Sequence, residues 1–206
     1  MNELLSSSYG LSIVTGPSGD ALELDEAKEH LRVTIDDDDA YIKRLIIVAT
    51  NHVQEHTRWQ LLSTTFDFRL DKFPSGSKPI ELPVMNATGQ PTITYIDANG
   101  VTQTLASTEW KVSLDRQPPR ITPAYSKIWP TARREPDAVT IRFTAGWTDP
   151  SGILDDIKQA MLLLIGHLYE NREEVITGTI QAKLERTVDA LLAPYGYEAE
   201  FTEFGT

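Results

Sequence analysis

His52-Val53-Gln54-Glu55-His56 has the H-x-x-E-H spacing of inverted zinc peptidases. Two histidines four residues apart share a helix face and can hold one zinc ion, while the glutamate between them activates a bound water. A third protein ligand would have to come from elsewhere, and no second helix offers a glutamate in a supporting motif. Thr57-Arg58-Trp59 then leads directly into a strand-rich region rather than continuing the helix. A pair of histidines on the wetter flank of an amphipathic helix explains the pattern better. A zinc hydrolase using His52, Glu55 and His56 stands as the rival reading.

Other chemistry is thinner. Asp36-Asp37-Asp38-Asp39 lacks the spread ligands and following glycine that a calcium loop needs. These carboxylates suit the first turn of a helix, where negative charge complements the dipole and Lys43 and Arg44 balance it one turn on. There is no G-x-S-x-G elbow, Walker loop or Rossmann glycine set, and no serine and histidine fall into a nucleophilic arrangement. His167 fits a core or interface position, and Trp110, Trp129 and Trp147 fit the core of the strand region. No catalytic, cofactor-binding or metal-ligating residue is assigned, and no cofactor is expected.

The positioning elements begin with a segment apolar on nearly all sides. In Asp155–Asn171, Ile157, Ala160, Met161, Leu164, Ile165 and Leu168 form one stripe at helical spacing, and Leu162 and Leu163 widen it. Such a helix needs cover on nearly every side, so Ile157, Met161, Leu164 and Leu168 are expected at a core or subunit interface. A shorter helix is expected from Leu24, capped by Asp25, and a long one over about Asp37–Arg58 with Ile42, Leu45, Ile46, Ala49 and Val53 inward and Ile47 and Val48 widening the stripe. Between the long helices the period changes to two in Thr65–Leu70, Thr92–Ile96 and Val139–Phe143. Asp97-Ala98-Asn99-Gly100 predicts a hairpin with a type I′ turn. Trp110–Leu114 and Arg120-Ile121 add short strands. Gly178–Leu184 suits strand or helix equally, and a last helix is expected over Glu185–Ala193.

These segments predict an α+β chain. Residues 1–22 form an extended N-terminal arm, and 23–62 with 150–193 form a helical core. Residues 63–149 form an inserted small antiparallel β-sheet, and 194–206 a tail. Tyr195, Tyr197, Phe201 and Phe204 alternate there with Glu198, Glu200 and Glu203. Aromatics among acids at a terminus cannot bury themselves locally, which suggests a docking peptide that orders on a partner.

Of 206 residues, 40% are hydrophobic, and the net charge is -11 at a pI of about 4.8 and a mean hydropathy of -0.28. The one adjacent basic pair, Arg133-Arg134, is followed by Glu135, so a phosphate-gripping stripe is not expected. No apolar run approaches the ~20 residues of a membrane span. The first residues lack the charged start and apolar core of a signal peptide. The absence of cysteine fits a reducing cytoplasm.

Three pieces in order carry a resemblance. They are Leu24–Val33 with the acidic run and long helix behind it, Asp137–Trp147, and Ile157–Leu164 continuing through His167–Glu173 to Val188–Tyr195. Together, from about Leu22 to Tyr195, they resemble the head–tail connector (adaptor) proteins of tailed phages, which also occur in gene transfer agents. The resemblance implies a helical connector core and a non-enzymatic ring of about twelve copies. That ring would sit between the capsid portal and the stopper or tail proteins of a virion neck, assembled in the host cytoplasm, with DNA passing through unbound. It also implies that the tail, with Tyr195, Tyr197, Phe201 and Phe204, reaches the portal. An acidic lumen, to which acids such as Asp36–Asp39 or those of the tail would contribute, would repel DNA phosphate. A stopper or tail-completion protein lower in the neck is the remaining alternative.

Overall fold

The computed structural model describes residues 9–172 and 186–196. They divide into two compact units. One comprises residues 9–20 and Trp59–Gly152, the other Ala21–Arg58 and the described residues from Ile153 onward.

The described elements of the first unit are strands, apart from a 3-10 turn over Pro150–Gly152. Its large sheet has the order β1-β2-β8-β4-β5, from β1 (Tyr9–Thr15), β2 (Thr64–Leu70), β8 (Val139–Ala145), β4 (Ala87–Ile96) and β5 (Thr102–Thr104). A smaller sheet has the order β3-β7-β6, from β3 (Ile80–Glu81), β7 (Arg120–Pro123) and β6 (Trp110–Ser113). All the strand pairs are antiparallel. Register explains the alternation seen in sequence: Phe66 faces Phe143, Phe68 faces Ile141, and Ile141 faces Ile93 across the large sheet. These side chains are buried in one cluster with Ile80, Trp110 and Ile121 of the small sheet. Trp129 joins them, stacked on Phe73 at 5.3 Å between centroids, its indole N–H donating to the Lys78 carbonyl at 2.8 Å. Trp147 instead is half-buried and stacks on Trp59.

Two details depart from the sequence reading. Within the segment expected to be an unpaired arm, Tyr9–Thr15 is a paired edge strand of the large sheet. A register shift between Ile13 and Thr15 throws Val14 out of alternation, which hides the period-two signal. The Asp97 hairpin forms, but in the Asp97–Val101 turn Gly100 has a positive φ (81°) and Asn99 does not, so the turn is not type I′. The Asp97 carboxylate accepts from the Asn99 and Val101 amides and holds the loop instead. Gly146, just past β8, has φ 99°. A Cβ there would lie 2.5 Å from the Leu62 carbonyl carbon and oxygen, so no other residue fits.

The second unit is helical: α1 (Leu24–Leu31), α2 (Asp39–Thr57), α3 (Asp155–Glu170), and helical residues 186–192 with a 3-10 turn over Ala193–Tyr195. Asp25 does not cap α1; Glu23 holds the cap position without a side-chain bond, and Asp25 and Glu26 sit in the first turn, where they complement the dipole. The buried stripe of α2 includes Ile42, Leu45, Ile46, Ala49 and Val53, as its spacing predicts, whereas Ile47 and Val48, expected to widen it, are exposed. In α3 the buried set is Ile157, Ala160, Met161 and Ile165. Leu162, Leu163, Leu164 and Leu168 are half-buried within this chain alone. Gly178–Leu184, undecided in sequence, lies outside the described residues.

Replacing Ile165, which is fully buried, with Ala should cost about 2–5 kcal/mol in urea unfolding, because it leaves a cavity. Leu164→Ala should cost distinctly less in the isolated subunit. Equal losses would show that the two faces of α3 are equally covered within one chain.

Candidate assembly surface

The histidines come first. His52, Glu55 and His56 all lie on the exposed side of α2, with the two imidazole rings stacked 6.5 Å apart. Among the described residues no group of three His, Cys, Asp or Glu could hold a metal ion. The sequence motif is thus present on one helix face, but no third ligand is brought to it. Its neighbours on that face include Lys43, Arg44, Ile47 and Val48, all exposed.

The acidic run has a role that composition did not disclose. Lys28 on α1 reaches across to donate to Asp36 and Asp39, both at 2.7 Å. Its hydrogen bonds to Asp36 and Asp39 push the ammonium above its ordinary range, and Asp36 is lowered by the same bond. Asp38 takes a hydrogen bond from the Tyr169 hydroxyl and another from Arg172 at 2.9 Å. These two bonds, Tyr169 first, hold the Asp38 carboxyl below the usual carboxylate value. The Arg172 guanidinium also lies over the rings of Tyr41, at 4.7 Å, and Tyr169, at 5.0 Å. The Tyr41 hydroxyl donates to the Leu168 carbonyl at 3.1 Å. The start of α2 is thereby tied to α1 and to the end of α3. Lys43 and Arg44, expected to balance these acids, are both exposed, and the Arg44 Nε–H donates to the Ala40 carbonyl at 3.4 Å. Three of the four carboxylates are engaged within the chain, so the run is first a structural joint. Sequence reasoning missed Lys28, Tyr41 and Arg172, because Asp38 and Arg172 are 134 positions apart and no local period links them.

The expected docking residues divide. Tyr195 is half-buried and its hydroxyl donates to Asp156 at 3.2 Å, which fixes the 3-10 turn against the start of α3. Burial first, and then this bond to Asp156, push the Tyr195 phenol upward. Tyr197, Phe201 and Phe204 lie outside the described residues. His167 is half-buried near the end of α3, 3.3 Å from the Asn171 amide.

In outline this is an α+β chain of two units. Residues 21–91 match the family model for phage gp6-like head-tail connector proteins. Among solved structures, a chain from the neck of an empty gene transfer agent particle, computed with C6 symmetry, is similar at a TM-score of 0.79 and 25% identity. That likeness covers 95% of this chain and 100% of that one. A chain from the neck of a native gene transfer agent particle, computed with C12 symmetry, is similar at 0.77 and 25% identity over 95% of this chain and all of that one. A chain from the virion of a native gene transfer agent particle shares the fold at 0.78, with 24% identity over 95% of this chain and 99% of that one. No curated protein matches. The resemblance to head–tail connectors read from the residues is borne out by these findings, as is the α+β fold.

A carboxyl held low in the folded chain stabilises it once ionised. That contribution is complete above about pH 4, the ordinary aspartate value, and is lost as the pH falls through the lower folded value. Asp38→Asn should therefore unfold at lower urea than the wild type at pH 7. Its stability should also fall less steeply than the wild type's as the pH is lowered below 4. Parallel pH profiles for the two proteins would remove Asp38 from this role.

Proposed function

We propose that this chain is a structural head–tail connector of a phage-like or gene-transfer-agent-like particle. In this reading it forms a ring of about twelve copies in the neck, between the portal and the stopper or tail proteins, and DNA passes through without specific binding. The observation that carries the reading is the near full-length likeness to chains from gene transfer agent necks, with the connector family match over residues 21–91 beside it. Physical features support the same reading. A ring subunit must bury apolar surface against two neighbours, over ~2,000 Å² or more where the contact persists. The half-buried Leu162, Leu164 and Leu168 of α3 and the exposed Ile47 and Val48 of α2 have area left to give. With a net charge of -11, a ring of such chains repels DNA phosphate more readily than it grips it. No helix among the described residues is long and apolar enough to cross a membrane.

In this reading the tail that begins with Tyr197 and carries Phe201 and Phe204 docks on the portal, and Tyr195 is its anchor on α3. Removing residues 197–206 should leave a folded subunit with unchanged helical circular dichroism that no longer sediments with the cognate portal. Retained portal binding would end the docking role of the tail. A wild-type chain that binds tail-side proteins and ignores the portal would mark it as a stopper instead.

The hydrolase reading is separated by metal analysis. The purified chain should hold far less than one zinc per subunit, and His52→Ala should enter particles as the wild type does. Stoichiometric zinc, lost on His52→Ala, would reverse the assignment.

A further inference from the structure

β1 is the outermost strand of the large sheet, and no described strand pairs with its far side. Edge strands are ordinarily protected by charge, proline or extreme shortness. β5, at the opposite edge, is 3 residues long. β1 has 7 residues with neither charge nor proline. Its register places Leu11 opposite Phe68 and Ile13 opposite Phe66, so both belong to the face that forms the domain core. That face is covered over Phe66 and Phe68, at 5% and 4% exposed, and open over Leu11 and Ile13, at 40% and 62%. Val14, at the register shift, is 44% exposed. The apolar layer therefore runs out to the sheet edge and stops uncovered, beside a row of backbone groups with no partner strand among the described residues.

We propose that β1 is a subunit interface, covered in the assembled ring by a second copy of this chain. The copy would seat apolar side chains on Leu11 and Ile13 and lie against the backbone edge of the strand. This rests on the ring reading above. Charge selects the occupant. Two chains of net charge -11 repel each other, so they meet at least cost where neither charge nor its desolvation is involved. From Leu4 to Gly19 the sequence has no charged side chain, in a protein where 24% of residues are charged. A cationic partner would instead be drawn to the acids elsewhere and would have no use for a neutral strip.

The chain contains no cysteine, so Thr15→Cys places one benzophenone-maleimide at the exposed end of β1. After irradiation of assembled necks, the expected product joins two copies of this chain. A product with any other neck protein, or none, overturns the proposal. Separately, Ile13→Lys and Leu11→Lys should melt as the wild-type subunit does, since both positions are exposed, yet lose incorporation into the ring. Rings that form normally from both variants would equally overturn it. Absence of the wild-type chain from the neck would sink the ring reading itself, whereas a wild-type ring without the crosslink sinks only the role of β1.

Discussion

Asp38 stands where the start of α2 meets the end of α3, and the helical unit depends on how its charge is met. Four adjacent carboxylates repel one another, and a helix dipole alone offsets only part of that. Lys28 takes two of them, and Tyr169 with Arg172 takes a third. Each pair lies near the surface, where a single ion pair contributes little. Shared partners and the stacking of Arg172 on Tyr41 and Tyr169 instead give the joint one geometry. Repulsion becomes a directional constraint that ties the start of α2 to α1 and to the end of α3.

The same logic of using what is left over runs through the molecule. Phe66, Phe68, Ile141 and Phe143 saturate the sandwich between the two sheets, while Leu11 and Ile13 continue the same face beyond its cover. Ile157, Met161 and Ile165 close the helical unit, while Leu164 and Leu168 stay half-buried. In the proposed ring, these remainders are the area left for contact with neighbouring copies. The three side chains of the H-x-x-E-H match are exposed on α2, and no group of three possible metal ligands occurs among the described residues.

Much of this was legible from local pattern. Helical spacing located α2 and α3 to within a few residues, and period two located β2, β4 and β8, because one buried face imposes its period on the residues that form it. β1 escaped because a register shift breaks its alternation at Val14. The short β3, only Ile80 and Glu81, is too brief to show any period. The hairpin at Asp97 was visible from Asn99-Gly100, but its turn type followed from the Asp97 carboxylate binding two amides, a choice the dipeptide alone does not contain.

The linear order of residues determined, by itself, the α+β class, the apolar stripes, the acidic balance and the likeness to head–tail connectors. All of these are local or additive properties of the chain. Tertiary structure alone decided that Lys28 and Arg172 answer the aspartates, that Tyr195 is tied to Asp156, and that the core face ends uncovered at Leu11 and Ile13. Those outcomes join positions far apart in sequence, and only the folded packing determines which distant partners come within hydrogen-bonding or van der Waals reach.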